Sequence, residues 1–259
     1  MQRVTHHGRT TAYRVADRGG EGSPLLCVHG SGGTHEAWKG QLGRLASQRP
    51  VVALDLSGHG ESEDFDADAG WETLSAYADD VLAVADETDA GVLVGNSLGG
   101  AVALQIAIER DHDFDGLVLA GTGAKLPVLA DLRRWLETDF DRAVEFLHGE
   151  DRLFHDADSR YVQLSTEAMQ GVGQRVTRRD FETCHVFDVR DGLSEIEVPT
   201  LALVGEHDHL TPPEYHRSLA DAIPNARYRE VLGAAHLAML EEPEGFNAAI
   251  REFLDEEEV

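Results

Sequence analysis

At 259 residues the chain is long for one compact domain and short for two, so a single core carrying an inserted subdomain is the economical organisation. Its 48 acidic residues against 22 basic ones give a formal net charge of −26, which would repel a phosphate backbone. No basic patch interleaved with aromatics relieves that repulsion, and nucleic acid is excluded as a partner. Two cysteines, Cys27 and Cys184, are too few for a disulfide framework and read as free thiols.

The first residues, Met1 to Gly8, lack the apolar stretch of a secretory signal, so a cytoplasmic location is expected. Arg3–His7 and Thr10–Ala16 read as a hairpin turning near Gly8, and Pro24–Val28 as a short apolar strand ending in His29-Gly30-Ser31-Gly32-Gly33. Val51–Leu56 is the next strand, leading into Asp55-Leu56-Ser57-Gly58-His59-Gly60. Leu74, Tyr77, Val81, Leu82 and Val84 recur at helical spacing, which predicts an amphipathic helix over Thr73–Thr88. The longest apolar stretch, Gly91–Ile108, is interrupted by Asn96, Ser97 and Gln105 and therefore predicts a strand followed by a helix, not a membrane span. Strands are expected at Gly116–Ala120, Thr200–Val204 and Ala226–Val231. Pro213 suits the first turn of a helix between the last two, and a final helix follows Pro243.

Strands alternating with helices predict an α/β fold: a mostly parallel, eight-stranded sheet with helices on both faces. Between about Gly123 and Ile196 the strand signal stops and Trp135, Phe140, Phe146, Phe154, Tyr161 and Phe181 appear at loose helical spacing. This predicts a helical cap at 123–196 inserted into a core made of 1–122 and 197–259. Ligands of open α/β sheets bind at the C-terminal edge of the strands, so the cap is expected to form the pocket there. Trp38, Trp135, Phe140 and Phe146 are its candidate lining residues.

Chemistry concentrates at Gly95-Asn96-Ser97-Leu98-Gly99, between a buried strand and a helix. A serine hydroxyl is a poor nucleophile unless presented and activated, and a sharp strand-to-helix turn is one way to do so. Such a turn leaves no room for Cβ atoms at Gly95 and Gly99. It also aims the Leu98 N–H, at a helix N-terminus, toward developing negative charge. The nucleophile needs a base and the base an orienting acid. The loops after the last two strands offer Asp208, in Gly205-Glu206-His207-Asp208-His209, and His236, in Gly233-Ala234-Ala235-His236.

Four motifs in this order, His29–Gly33, Asp55-x-x-Gly58-His59-Gly60-x-Ser62, the Gly95–Gly99 elbow and Gly205-x-x-Asp208 followed by His236, give the chain a resemblance to the α/β-hydrolase superfamily over essentially its whole length. It is similar to the lidded esterase, enol-lactonase and cofactor-free haloperoxidase-like branch, in which Gly121-Thr122-Gly123-Ala124 opens the lid and Pro199-Thr200 leads out of it. The resemblance implies Ser97 as nucleophile, Asp208 as acid, His236 as base and the N–H groups of Ser31 and Leu98 as an oxyanion hole. Two departures stand out: Ala235 where the family often has glycine, and Ser31 where several branches carry a bulky or apolar residue.

The expected activity is acyl transfer to water on a small-molecule ester, thioester or lactone, through an acyl-enzyme on Ser97 and without a cofactor. The alternatives are a C–C hydrolase or lyase using the same triad, and a non-catalytic small-molecule sensor. A Cys184-His185 nucleophile pair is set aside because adjacent residues point in different directions. No metal site is expected: His207-Asp208-His209 is suggestive, but no second histidine cluster sits at ligand spacing. His59 is assigned to structuring its turn. No membrane partner is expected, and the chain is read as a monomer or homodimer.

The acids are scattered over every segment, and Lys39 and Lys125 are the only lysines, a composition expected of a salt-loving microbe. At molar salt the Debye length is about 3 Å and self-repulsion is screened. Dialysis into dilute buffer is therefore expected to abolish the far-UV circular dichroism of the folded chain; an unchanged spectrum would refute this reading.

Overall fold

The structure is a computed structural model that describes all 259 residues. A hairpin of β1 (Gln2–His6) and β2 (Arg9–Ala16) leads to β3 (Leu25–Val28), a short 3-10 turn and α1 (Lys39–Arg44), then β4 (Val51–Leu54) and α2 (Trp71–Thr88). Next come β5 (Val92–Asn96), α3 (Leu98–Glu109) and β6 (Gly116–Ala120). Four helices follow before the sheet resumes: α4 (Ala130–Thr138), α5 (Phe140–Leu147), α6 (Ser159–Val172) and α7 (Gln174–Val186). The chain closes with β7 (Thr200–Gly205), α8 (Pro213–Ala222), β8 (Ala226–Val231), α9 (Ala238–Glu241) and α10 (Pro243–Glu257).

The eight strands form one sheet in the order β1-β2-β4-β3-β5-β6-β7-β8. Only β2 runs antiparallel to its neighbours; from β4 to β8 every pairing is parallel. The expected mostly parallel α/β sheet is therefore what forms. Its central strands are buried throughout and apolar at nearly every position, because both faces are covered. Leu26, Val28, Val52, Leu54, Leu93, Leu117 and Leu119 face one core with α2, α3 and α8. Leu25, Cys27, Val51, Ala53, Val92, Val94 and Val118 face another with α1 and α10. No helix is long and apolar enough to cross a membrane.

The order β4-β3-β5 makes the β3/β5 boundary a topological switch point, where the chain leaves one side of β3 and continues on the other. The loops following β3 and β5 therefore open side by side. Their approach is set by glycine. A Cβ on Gly99 would stand 2.3 Å from the Val28 carbonyl oxygen, and one on Gly95 would stand 2.3 Å from the Gly99 carbonyl oxygen. Gly99→Ala is expected to destabilise the fold by about 3 kcal/mol, lowering Tm by roughly 6–12 °C. Gly43→Ala, in α1 with nothing within 4 Å of the added carbon, should be neutral or stabilising by up to ~1 kcal/mol. Equal melting temperatures for the two variants in differential scanning calorimetry would contradict this account.

Candidate active site

Ser97 sits at the turn between β5 and α3 with φ 55 and ψ −115, a conformation that costs a non-glycine residue of order 1–3 kcal/mol and persists only when its surroundings over-determine it. Those surroundings are visible. Ser97 N–H donates to the Ala120 carbonyl at 2.9 Å, and the Thr122 hydroxyl donates to the Ser97 carbonyl at 2.9 Å. Thr122 N–H in turn donates to Nε2 of buried His216 at 2.9 Å. With both its backbone groups held, Ser97 lines the cavity.

His29–Gly33 lies directly against this elbow. A Cβ on Gly30 would stand 3.0 Å from Ser97 Cβ. His29 shapes the loop: its Nε2 accepts from Leu56 N–H at 3.1 Å, while Nδ1 donates to the Gly30 carbonyl at 2.9 Å. Ser31 N–H has no acceptor within the protein, and Leu98 N–H opens a helix whose first donors have no partner along the helix. Ser31 Oγ lies 3.8 Å from the Cys184 sulfur. Burial pushes the Cys184 thiol up to about 12, which removes it as a nucleophile.

His236 Nδ1 stands 2.9 Å from Asp208 Oδ2, both residues buried. Burial alone would raise the Asp208 carboxyl. His236, together with the N–H and hydroxyl of Thr211, outweighs that and holds it below the usual carboxylate range. Oδ1 accepts from Leu210 and Thr211 N–H at 2.8 Å each, and Thr211 Oγ1 donates to Oδ2 at 2.7 Å. Asn96 ties the base to the elbow, its Nδ2 donating to the carbonyls of Ala120 and His236 at 3.3 Å each. Gly121, at φ 52, leaves the space that His236 Nδ1 faces. Ser97 and His236 line the same cavity without a direct hydrogen bond between their side chains, a contact that commonly tightens only around substrate.

The cavity measures about 940 Å³ and is mainly apolar. Leu126, Leu132, Leu153, Tyr161, Met169 and Phe181 line it from the helical insertion, and Leu210, Leu237 and Leu240 from the core. None of the four aromatics expected there contributes. Trp38 is buried under the sheet, its ring 6.1 Å from Phe246. Trp135 and Phe146 pack against each other with centroids 5.3 Å apart and planes tilted by 55°, and carry Arg142 and Arg152 on their faces, while Phe140 packs into the insertion's own core. Helical spacing brought these rings to one another instead of to the pocket.

One residue that the sequence pattern does not single out connects the insertion to the His29–Gly33 loop. Asp180, fully buried on α7, accepts from Gly32 N–H at 3.0 Å, from His59 Nε2 at 2.9 Å and from the Tyr77 hydroxyl at 2.6 Å. Burial opposes a charge on His59, but Asp180 prevails and raises its pKa. His59 thus fastens its turn to α7, beyond the local role expected of it.

The model of the alpha/beta hydrolase family matches residues 25–249. The chain is 28% identical to the 2-hydroxy-6-oxo-6-(2'-aminophenyl)hexa-2,4-dienoic acid hydrolase of Metapseudomonas resinovorans, over 97% of this chain and 89% of the relative. It is 27% identical to 3-oxoadipate enol-lactonase 1 of Acinetobacter baylyi, over 94% and 92%. A solved thermophilic esterase superposes with a TM-score of 0.85 at 28% identity, covering 99% of this chain and 97% of that one.

Two neutral imidazoles hold this site by accepting backbone N–H groups, and acid attacks both. Burial pushes His29 and His216 each down to about 4, whereas in the unfolded chain they take protons near pH 6.5. Their contribution is complete above pH 6.5 and is lost as pH falls toward 4, by up to ~3 kcal/mol each. His59 has the opposite sign and loses its contribution as pH rises through its raised value. Urea midpoints at constant salt should fall between pH 6.5 and 4, less steeply in His216→Gln; a flat profile would exclude this role.

Proposed function

Since the chain belongs to the alpha/beta hydrolase family and is a hydrolase of that fold, we propose that it cleaves small-molecule esters, thioesters or lactones through an acyl-enzyme on Ser97. The observation that carries this reading is the buried His236–Asp208 pair opening, with Ser97, into one apolar cavity. Ser97 Oγ attacks the carbonyl carbon while His236 Nε2 takes its proton, and Asp208 stabilises the imidazolium through Nδ1. The N–H groups of Ser31 and Leu98 receive the oxyanion. Collapse of the tetrahedral intermediate expels the alcohol, protonated by His236. Water then enters, gives its proton to His236 and releases the acid.

The helical insertion serves as the lid. It supplies much of the apolar lining, so binding draws on burial of the substrate's hydrocarbon part and the reaction runs away from bulk water. The acidic surface suits work in concentrated salt. An enol-lactonase among the relatives supports the lactone branch. The Metapseudomonas resinovorans relative keeps a second reading open, C–C bond hydrolysis by the same triad.

Ser97→Ala should lower turnover of short p-nitrophenyl esters in high salt by roughly four to six orders of magnitude and abolish labelling by a fluorophosphonate probe. A variant retaining most of its esterase activity would refute the acyl-enzyme. Labelling of Ser97 with negligible ester turnover, but cleavage of a vinylogous diketone, would favour the C–C reading.

A further inference from the structure

His207 precedes the proposed catalytic acid, and the sequence offers it no partner at ligand spacing. The fold supplies two. Between α5 and α6 the insertion carries Asp151 and His155, and one ligand atom each from Asp151, His155 and His207 all lie within 4.8 Å of one another. We propose that these three side chains form a site for a borderline-soft divalent cation of the zinc class, which staples the helical insertion to the loop bearing Asp208.

The donor set decides the class of ion. Two imidazoles and one carboxylate suit Zn²⁺, Co²⁺, Ni²⁺ or Cu²⁺ and are a poor match for Mg²⁺ or Ca²⁺, which take oxygen shells. The site is also well braced. Glu241 accepts from His155 N–H at 2.8 Å, Asp156 N–H at 2.7 Å and Ala235 N–H at 2.8 Å, fixing the Asp151–His155 segment to the loop that carries His236. His207 N–H is held by the Ala234 carbonyl at 2.9 Å. Asp151 adopts φ 55 and accepts from His155 Nδ1 at 2.5 Å.

The two rings stack with centroids 3.6 Å apart and planes 12° apart. Parallel rings do not aim their lone pairs at one point. Zinc takes nitrogen and oxygen ligands at about 2.0–2.2 Å, so tetrahedral donors stand roughly 3.3–3.6 Å apart. Binding therefore turns the rings out of their stack. All three side chains are a quarter to a third exposed, 34% for His155, 25% for Asp151 and 35% for His207, so solvent leaves room for that rotation. The Glu206 carboxylate, 3.6 Å from His207 Nε2, or water completes the shell. A surface this acidic raises the local concentration of any cation, and the imidazoles discriminate among those that arrive.

Titration calorimetry of the full chain with zinc chloride, in molar KCl and excess Mg²⁺ to saturate the acidic surface, is the test. The expected result is one site, weakened on the order of 100-fold in His155→Ala and in His207→Ala. Zinc at a hundredfold excess over Kd should raise Tm by roughly 5–10 °C in the unaltered chain and by no more than about 1–2 °C in either variant. Should the variants misfold, electron paramagnetic resonance of Cu²⁺ on the unaltered chain decides the matter: coupling to two nitrogens supports the site. Oxygen-only coordination, or zinc affinity unchanged by either substitution, overturns it.

Discussion

The contact on which the rest depends is the approach of α3 to β3 through Gly99. At that distance the backbone of the helix start lies against the Val28 carbonyl, and the turn from β5 has no choice but the strained conformation of Ser97. Strain of this kind relaxes unless something opposes it. Here the opposition comes from the Ala120 carbonyl, the Thr122 hydroxyl and, behind Thr122, neutral His216. Because the switch point puts the β3 loop beside the β5 loop, the same approach that strains the serine brings the loop of the proposed Ser31 donor against it.

Asp180 links this rigid base to the insertion. A buried carboxylate is tolerable only when its oxygens are satisfied, and Asp180 satisfies both with donors from three parts of the core: Gly32, His59 and Tyr77. Neighbouring Arg179 repeats the connection, its guanidinium donating to Asp64 at 2.8 Å and to the Phe65 carbonyl at 3.1 Å. The segment that lines the pocket therefore also holds the peptide next to the proposed Ser31 donor. The pocket lining contributed by the insertion and the geometry of the His29–Gly33 loop belong to one mechanical unit.

The central strands were legible because fully covered parallel strands leave an unmistakable apolar signature, and the proposed triad because each member sits in a Gly-bearing loop after a strand, Ser97 and Asp208 after fully buried β5 and β7 and His236 after the more polar edge strand β8. Asp180 was not, being one acid among 48 whose meaning arises only when α7 docks on Gly32. Thr122, Thr211 and His216 escaped for a similar reason: their work is to hold another residue's backbone or carboxylate, and hydroxyls and single histidines are common in turns and helices. The aromatics misled because helical spacing says which residues share a face, not what that face meets. In the insertion they met each other and two arginines, leaving the pocket to Leu, Met, Phe181 and Tyr161. The Asp151–His155–His207 cluster was likewise invisible, since its members come together only when the insertion folds over the core.

The insertion's own core is small, nine buried residues against 31 and 22 on the two faces of the sheet, and one of the nine, Leu240, belongs to the main fold. A cluster that size does not fix four helices by itself, so its position is set by where it is tied. One tie is Asp180 to Gly32, in the loop after β3. Another lies in the loop after β8, where His236 and Leu237 N–H groups donate to the carbonyls of Arg152 and Leu153 at 3.2 and 2.9 Å. The two halves of the proposed machinery are thus anchored to two separate segments of the same insertion, the turn between α5 and α6 and helix α7. A shift of the insertion therefore moves the Gly32 loop and the His236 loop together, so the position of the insertion and the geometry of the proposed site are coupled.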